Sequence, residues 1–168
     1  MKNSNNIKNI LLNSLKLENL FSNKRENIFF DKSSLVSLIK DKKYKEAYAL
    51  TKQNLESNSK DSDLWYLMAV ISRINNDINL ASICLKNGLS LNPNDIKLIV
   101  LYCMNCIDKS LFKEALEALK KIEEKELFPE VLNAYALVYR GLEKNNLALE
   151  YFIKTLRLDK SVENLFYN

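Results

Sequence analysis

Alanine stands at positions 47, 81, 115 and 148, at intervals of 34, 34 and 33 residues, and much of the surrounding pattern recurs with it. A period of this length marks a chain built from one supersecondary unit repeated in tandem, each unit burying its apolar side against the next. The pattern is clearest from Ser62 to Asp95, where Trp65 is followed at helical steps by Met68, Ala69 and Ser72, then by Ala81, Leu85 and Gly88. Steps of three and four residues place apolar side chains on one face of a helix. The polar stretch Asn75-Asn76-Asp77 separates two such helices, and Pro93 closes the unit. Small Ala69 and Ala81 allow close approach of the two helices, and Trp65, Met68 and Leu85 are expected to fill the space around that contact.

The same spacing divides the rest of the chain. Residues 28–61 form a degenerate unit, with Leu35, Leu38 and Ile39 on its first helix, a turn at Asp41-Lys42-Lys43, and Asp31 and Ser34 where Trp65 and Met68 would stand. Residues 96–128 place Tyr102, Cys103 and Cys106 on the first helix and Ala115 and Leu119 on the second, which is expected to run through Ile122. Residues 129–161 begin at Pro129, a residue suited to the first helical turn because its missing N–H would be unpaired anyway. Leu132, Tyr135, Ala136, Tyr139, Ala148 and Phe152 complete that unit. Ahead of the array, residues 1–27 read as an amphipathic helix over about 6–22, carrying Ile7, Ile10, Leu11, Leu17 and Phe21, followed by a polar linker. After it, residues 162–168 read as the first turns of a further helix.

The order Trp-x2-Met-Ala-x2-Ser, Ala-x3-Leu, Pro resembles the tetratricopeptide repeat. The resemblance implies an all-α, right-handed superhelical solenoid of antiparallel helix pairs, in which first helices line a concave groove that holds a peptide or helix. Carried onto this chain, the inward-facing positions are Tyr66, Val70 and Arg73, then Val100, Met104 and Ile107, then Asn133, Leu137 and Arg140. That surface is largely apolar, which suits an amphipathic helix or apolar segment of a partner polypeptide, or the chain's own N-terminal helix. Family members that clamp a C-terminal carboxylate carry Lys and Asn on these helices; here Lys32 and Lys97 fall at such places, but Val36, Leu67 and Leu101 replace the others. The resemblance therefore implies a non-enzymatic interaction scaffold, adaptor or assembly chaperone.

Composition narrows the alternatives. There is no histidine, which removes the commonest general base and a leading metal ligand. Gly88 and Gly141 are isolated, so no phosphate-cradling loop is expected, and the chain is read as having no catalytic, cofactor or metal site. Cys103-Met-Asn-Cys106 has the shape of a metal or redox motif, but Cys84 is the only other cysteine and both motif residues fall mid-helix at packing positions. No apolar run approaches the roughly 20 residues a membrane span needs. Residues 1–30 also lack a signal-like apolar core, so a cytoplasmic protein is expected.

Charge is uneven: residues 1–45 hold ten Lys/Arg against four Asp/Glu, and residues 46–168 hold fifteen against seventeen. The alternative function is thus a nucleic-acid-associated helical repeat protein using the segment from Lys2 to Lys45. Dispersed lysines with few interleaved aromatics argue for weak binding at most. Copies of the chain are expected to meet, where they do, through the leading helix or the C-terminal turns.

Overall fold

The computed structural model describes residues 32–123 and 128–158, and helix is the only regular structure among them. The chain divides after Leu91 into two compact units, Met1–Leu91 and Asn92–Asn168. The first contains α1 (Lys32–Lys40), α2 (Tyr44–Ser57), α3 (Ser62–Ile74) and α4 (Ile78–Leu91). The second contains α5 (Ile96–Asp108), α6 (Phe112–Leu119), α7 (Pro129–Gly141) and α8 (Asn145–Leu158). The leading helix over 6–22 and the closing turns at 162–168 lie outside the described residues.

Helix starts follow from the sequence. Asp61 and Asp95 are N-caps: the Asp61 carboxylate accepts from the Asp63 N–H at 2.9 Å, and Asp95 accepts from Lys97 and Leu98 at 2.9 and 3.2 Å. Each satisfies N–H groups that a first helical turn leaves without partners. α7 has no side-chain cap; it enters through extended Phe128 and begins with Pro129.

The turns inside the helix pairs share one geometry. Lys42, Asn76, Ser110 and Glu143 adopt φ of 59° to 62°, the left-handed conformation. The next residue in each case donates its N–H back five residues, Lys43 to Leu38, Asp77 to Ser72, Leu111 to Cys106 and Lys144 to Tyr139, at 2.8 to 2.9 Å. Its carbonyl then accepts from Ala47, Ala81, Ala115 or Ala148 at 3.0 to 3.1 Å. One residue thus ends the first helix in a Schellman motif and opens the second, so the repeated alanine arrives at the helix contact every time. None of the four left-handed residues is glycine, although an L side chain there costs about 1–2 kcal/mol. Replacing Ser110 or Glu143 by Gly should therefore raise the unfolding free energy by about 0.5–1 kcal/mol, the remainder being offset by the freedom glycine gains when unfolded. Urea melts of the two variants check this, and a loss of stability in both would refute the account of the turn.

Packing proceeds in sequence order. In the first unit α1 packs on α2, α2 on α3 and α3 on α4; in the second α5 packs on α6, α6 on α7, α7 on α8, and the two first helices α5 and α7 also touch. Ala47, Ala81 and Ala115 are fully buried and Ala148 nearly so, with Leu35, Leu64, Ile71 and Leu85 in one core and Leu98, Ile99, Leu119, Val131 and Val138 in the other. A Cβ on Gly141 would overlap the Phe112 ring, so the missing side chain lets that ring lie against α7. Tyr135, Tyr139 and Tyr151 form a ring cluster joining α7 to α8, with centroids 5.0 to 6.2 Å apart.

Two sequence expectations need correction. Trp65 is only half-buried, its indole N–H donating to the Ser59 carbonyl at 2.7 Å, and its neighbour Leu64 is the residue sunk in the core. The second helix of the third unit stops at Leu119, where Lys121 and Ile122 donate to carbonyls three residues back. This tighter turn still buries Ile122.

Candidate protein-binding surface

The inward-facing positions fall on α3, α5 and α7, and the two units treat them differently. On α3, Tyr66, Val70 and Arg73 occur at steps of four and three and share a face, but they are only 8%, 3% and 5% exposed. They are buried and present no open surface. On α5, Val100 and Ile107 are half-exposed and Met104 is 8% exposed; on α7, Asn133 and Leu137 are half-exposed and Arg140 is exposed.

α5 and α7 pack directly, and these residues stand at equivalent positions of the two helices: Val100 and Asn133, Met104 and Leu137, Ile107 and Arg140. Helices in contact run 8–10 Å apart, a width suited to one helix or extended segment lying across both. The second unit thus leaves Val100, Ile107 and Leu137 half-exposed on two contacting helices, with Met104 buried and Arg140 exposed.

Lys32, at a clamp-like position in the first unit, is already engaged. Its ammonium lies 2.7 Å from the Asp63 carboxylate and 3.0 Å from that of Asp61, linking α1 to the capped start of α3. Burial alone would lower its pKa, but the hydrogen bonds and charges of Asp63 and Asp61 outweigh it and hold the group above its ordinary value. Two neighbouring carboxylates compete with any incoming one. This cluster is invisible in the linear pattern, since about thirty residues separate Lys32 from the two carboxylates.

Cys103 and Cys106 are buried in α5, and the Cys103 thiol donates to the Ala115 carbonyl at 3.3 Å across to α6. Burial, followed by the neighbouring Cys106, pushes the Cys103 thiol up. Cys84 is raised from 9.0 to about 11, first by burial and then by the charge of Asp77. A thiol whose folded pKa lies above its unfolded one favours folding fully below pH 9, and that contribution is lost as pH rises through about 11. Stability should accordingly fall between pH 9 and 11, less steeply in Cys84→Ala, and native-state alkylation at pH 8 should be slow at both buried sites. Rapid labelling in the folded protein would show the thiols to be accessible and activated.

Comparison with known proteins now decides the family. The tetratricopeptide-repeat family model matches residues 30–162, most of the chain. The chain belongs to the tetratricopeptide-repeat family. Among solved structures, this tetratricopeptide-repeat protein is similar to YrrB, described as having an unusual peptide-binding site, with 21% identity, a TM-score of 0.65, and coverage of 74% of this chain and 65% of that one. It is also similar to pilF of Pseudomonas aeruginosa, with 21% identity, a TM-score of 0.69, and coverage of 76% and 59%. MamA from Desulfovibrio magneticus RS-1 matches with 19% identity, a TM-score of 0.68, and coverage of 76% and 73%. The chain thus spans less than two-thirds of the first two structures, and at these identities the likeness is one of fold. No curated protein sequence matches it. Among the described residues, no helix is long and apolar enough to cross a membrane.

Proposed function

We propose that this tetratricopeptide-repeat protein is a non-enzymatic adaptor or assembly chaperone that binds an apolar or amphipathic helical segment of a partner polypeptide across α5 and α7. The observation that carries the reading is the half-exposed strip Val100, Ile107 and Leu137 over buried Met104, on two first helices in direct contact. Tetratricopeptide repeats are interaction scaffolds, and the similar fold of YrrB, with its peptide-binding site, supports the same use here. Arg140 at one end favours a segment flanked by an acidic residue. A terminal carboxylate is a poorer ligand, because Lys32 is neutralised by Asp61 and Asp63. Three cysteines outside any disulfide suit a reducing compartment, and we place the protein in the cytoplasm.

The test is affinity capture from the source cell with the native chain and with Val100→Glu/Leu137→Glu. A partner retained by the first and lost by the second, and then bound as an isolated helical peptide, supports the reading. Equal capture by both would overturn it.

A further inference from the structure

Helix α8 leaves exposed an apolar stripe whose positions are charged or at least half-buried in most of the helices it repeats. Leu149, Ile153 and Leu156 lie at steps of four and three, hence on one stripe, and are 60%, 39% and 52% exposed. Ile153 stands where α2, α4 and the turn closing α6 carry Lys52, Lys86 and Lys120, all exposed. Three lysines mark that position as one that water ordinarily covers. An isoleucine there extends the apolar stripe and removes the charge that would keep another apolar surface away.

The stripe is self-complementary. The midpoint between Leu149 and Leu156 and the midpoint between Glu150 and Arg157 both fall within half a residue of Ile153. A twofold axis passing by Ile153 would therefore set Leu149 of one copy against Leu156 of the other, and Glu150 against Arg157, on both sides of the axis. A parallel arrangement would carry the Glu150 and Arg157 side of one copy to the edge of the interface opposite that of its partner, so the two charges would not meet. Lys154, which pairs with Glu150 at 2.6 Å within α8, sits away from the stripe and leaves the second carboxylate oxygen of Glu150 for Arg157.

We propose that a second copy of this chain docks on this stripe, α8 against α8 in antiparallel orientation, forming a twofold-symmetric homodimer. One helix against one helix buries less than the roughly 800 Å² per partner of a standard interface, so dissociation constants in the micromolar range are expected. This site is separate from the α5 and α7 strip, and its failure leaves the binding proposal standing.

Sedimentation of the full chain from about 1 µM to the order of 100 µM should show the mean mass rising toward twice that of the chain. Ile153→Lys, which restores the lysine of the other repeats, should weaken association at least ~10-fold at an unchanged circular-dichroism spectrum. Glu150→Arg and Arg157→Glu should each weaken it, yet an equimolar mixture of the two should associate more tightly than either alone, because only the antiparallel heterodimer then pairs opposite charges on both sides. A chain monomeric throughout, a dimer unaffected by Ile153→Lys, or a mixture no tighter than its components would overturn the proposal. So would a monomer whose melting temperature falls with Ile153→Lys, since the stripe would then be covered by the chain's own residues 162–168.

Discussion

Leu64→Ala is expected to lower the unfolding free energy by about 3 kcal/mol, and Trp65→Ala by only about 1–2 kcal/mol, although the indole is much the larger group. Leu64 is 1% exposed at the start of α3, so truncation leaves a cavity in the core. Trp65 is half-exposed and gives its N–H to Ser59, so its loss opens mainly onto water and removes one hydrogen bond worth about 1 kcal/mol. The same ordering should appear at the equivalent positions of the second unit only in part, because Leu98 and Ile99 are both buried there. Urea melts of the two single variants decide the matter. A larger loss for Trp65→Ala would mean that the indole, not Leu64, anchors α3.

That inversion shows where sequence reading succeeds and where it stops. The alanine period was legible because it reports a local event: Lys43, Asp77, Leu111 and Lys144 each close one helix and open the next, so the same alanine lands on the same contact. The helix start at Pro129 was legible for the same reason, being chemistry within three or four residues. Solvent access is a different property. Tyr66, Val70 and Arg73 occupy the register of Val100, Met104 and Ile107, yet all three are buried while Val100 and Ile107 are half-exposed. An offset within a repeat says which way a side chain points from its own helix, not what lies beyond it. Lys32 is the sharpest case, since its position matched an anion-binding lysine and its neighbours in space had already neutralised it.

The second large effect concerns the strip on α5 and α7. Val100→Glu with Leu137→Glu is expected to weaken partner capture at least ~100-fold, about 2.8 kcal/mol, while changing stability by less than about 1 kcal/mol. Both side chains are half-exposed, so the introduced carboxylates can stay hydrated in the free protein and are stripped of water only when an apolar segment covers them. Met104→Glu lies between them on the same face but should behave in the opposite way. At 8% exposure its charge would be buried without a partner, costing on the order of 3–5 kcal/mol, so binding would be lost through unfolding. The pair of experiments separates a binding surface from a structural one, and circular dichroism with thermal melts is the control that tells them apart. They also separate an external partner from residues 1–30 acting as the occupant. If the leading segment covers the strip, the Val100 and Leu137 substitutions should expose it to protease and lower stability by several kcal/mol, as a charge placed under a packed helix demands. If the strip is open to another protein, protease sensitivity at residues 1–30 should match that of the native chain and only capture should fall. Unchanged capture and unchanged protection together would remove α5 and α7 from consideration as the binding surface.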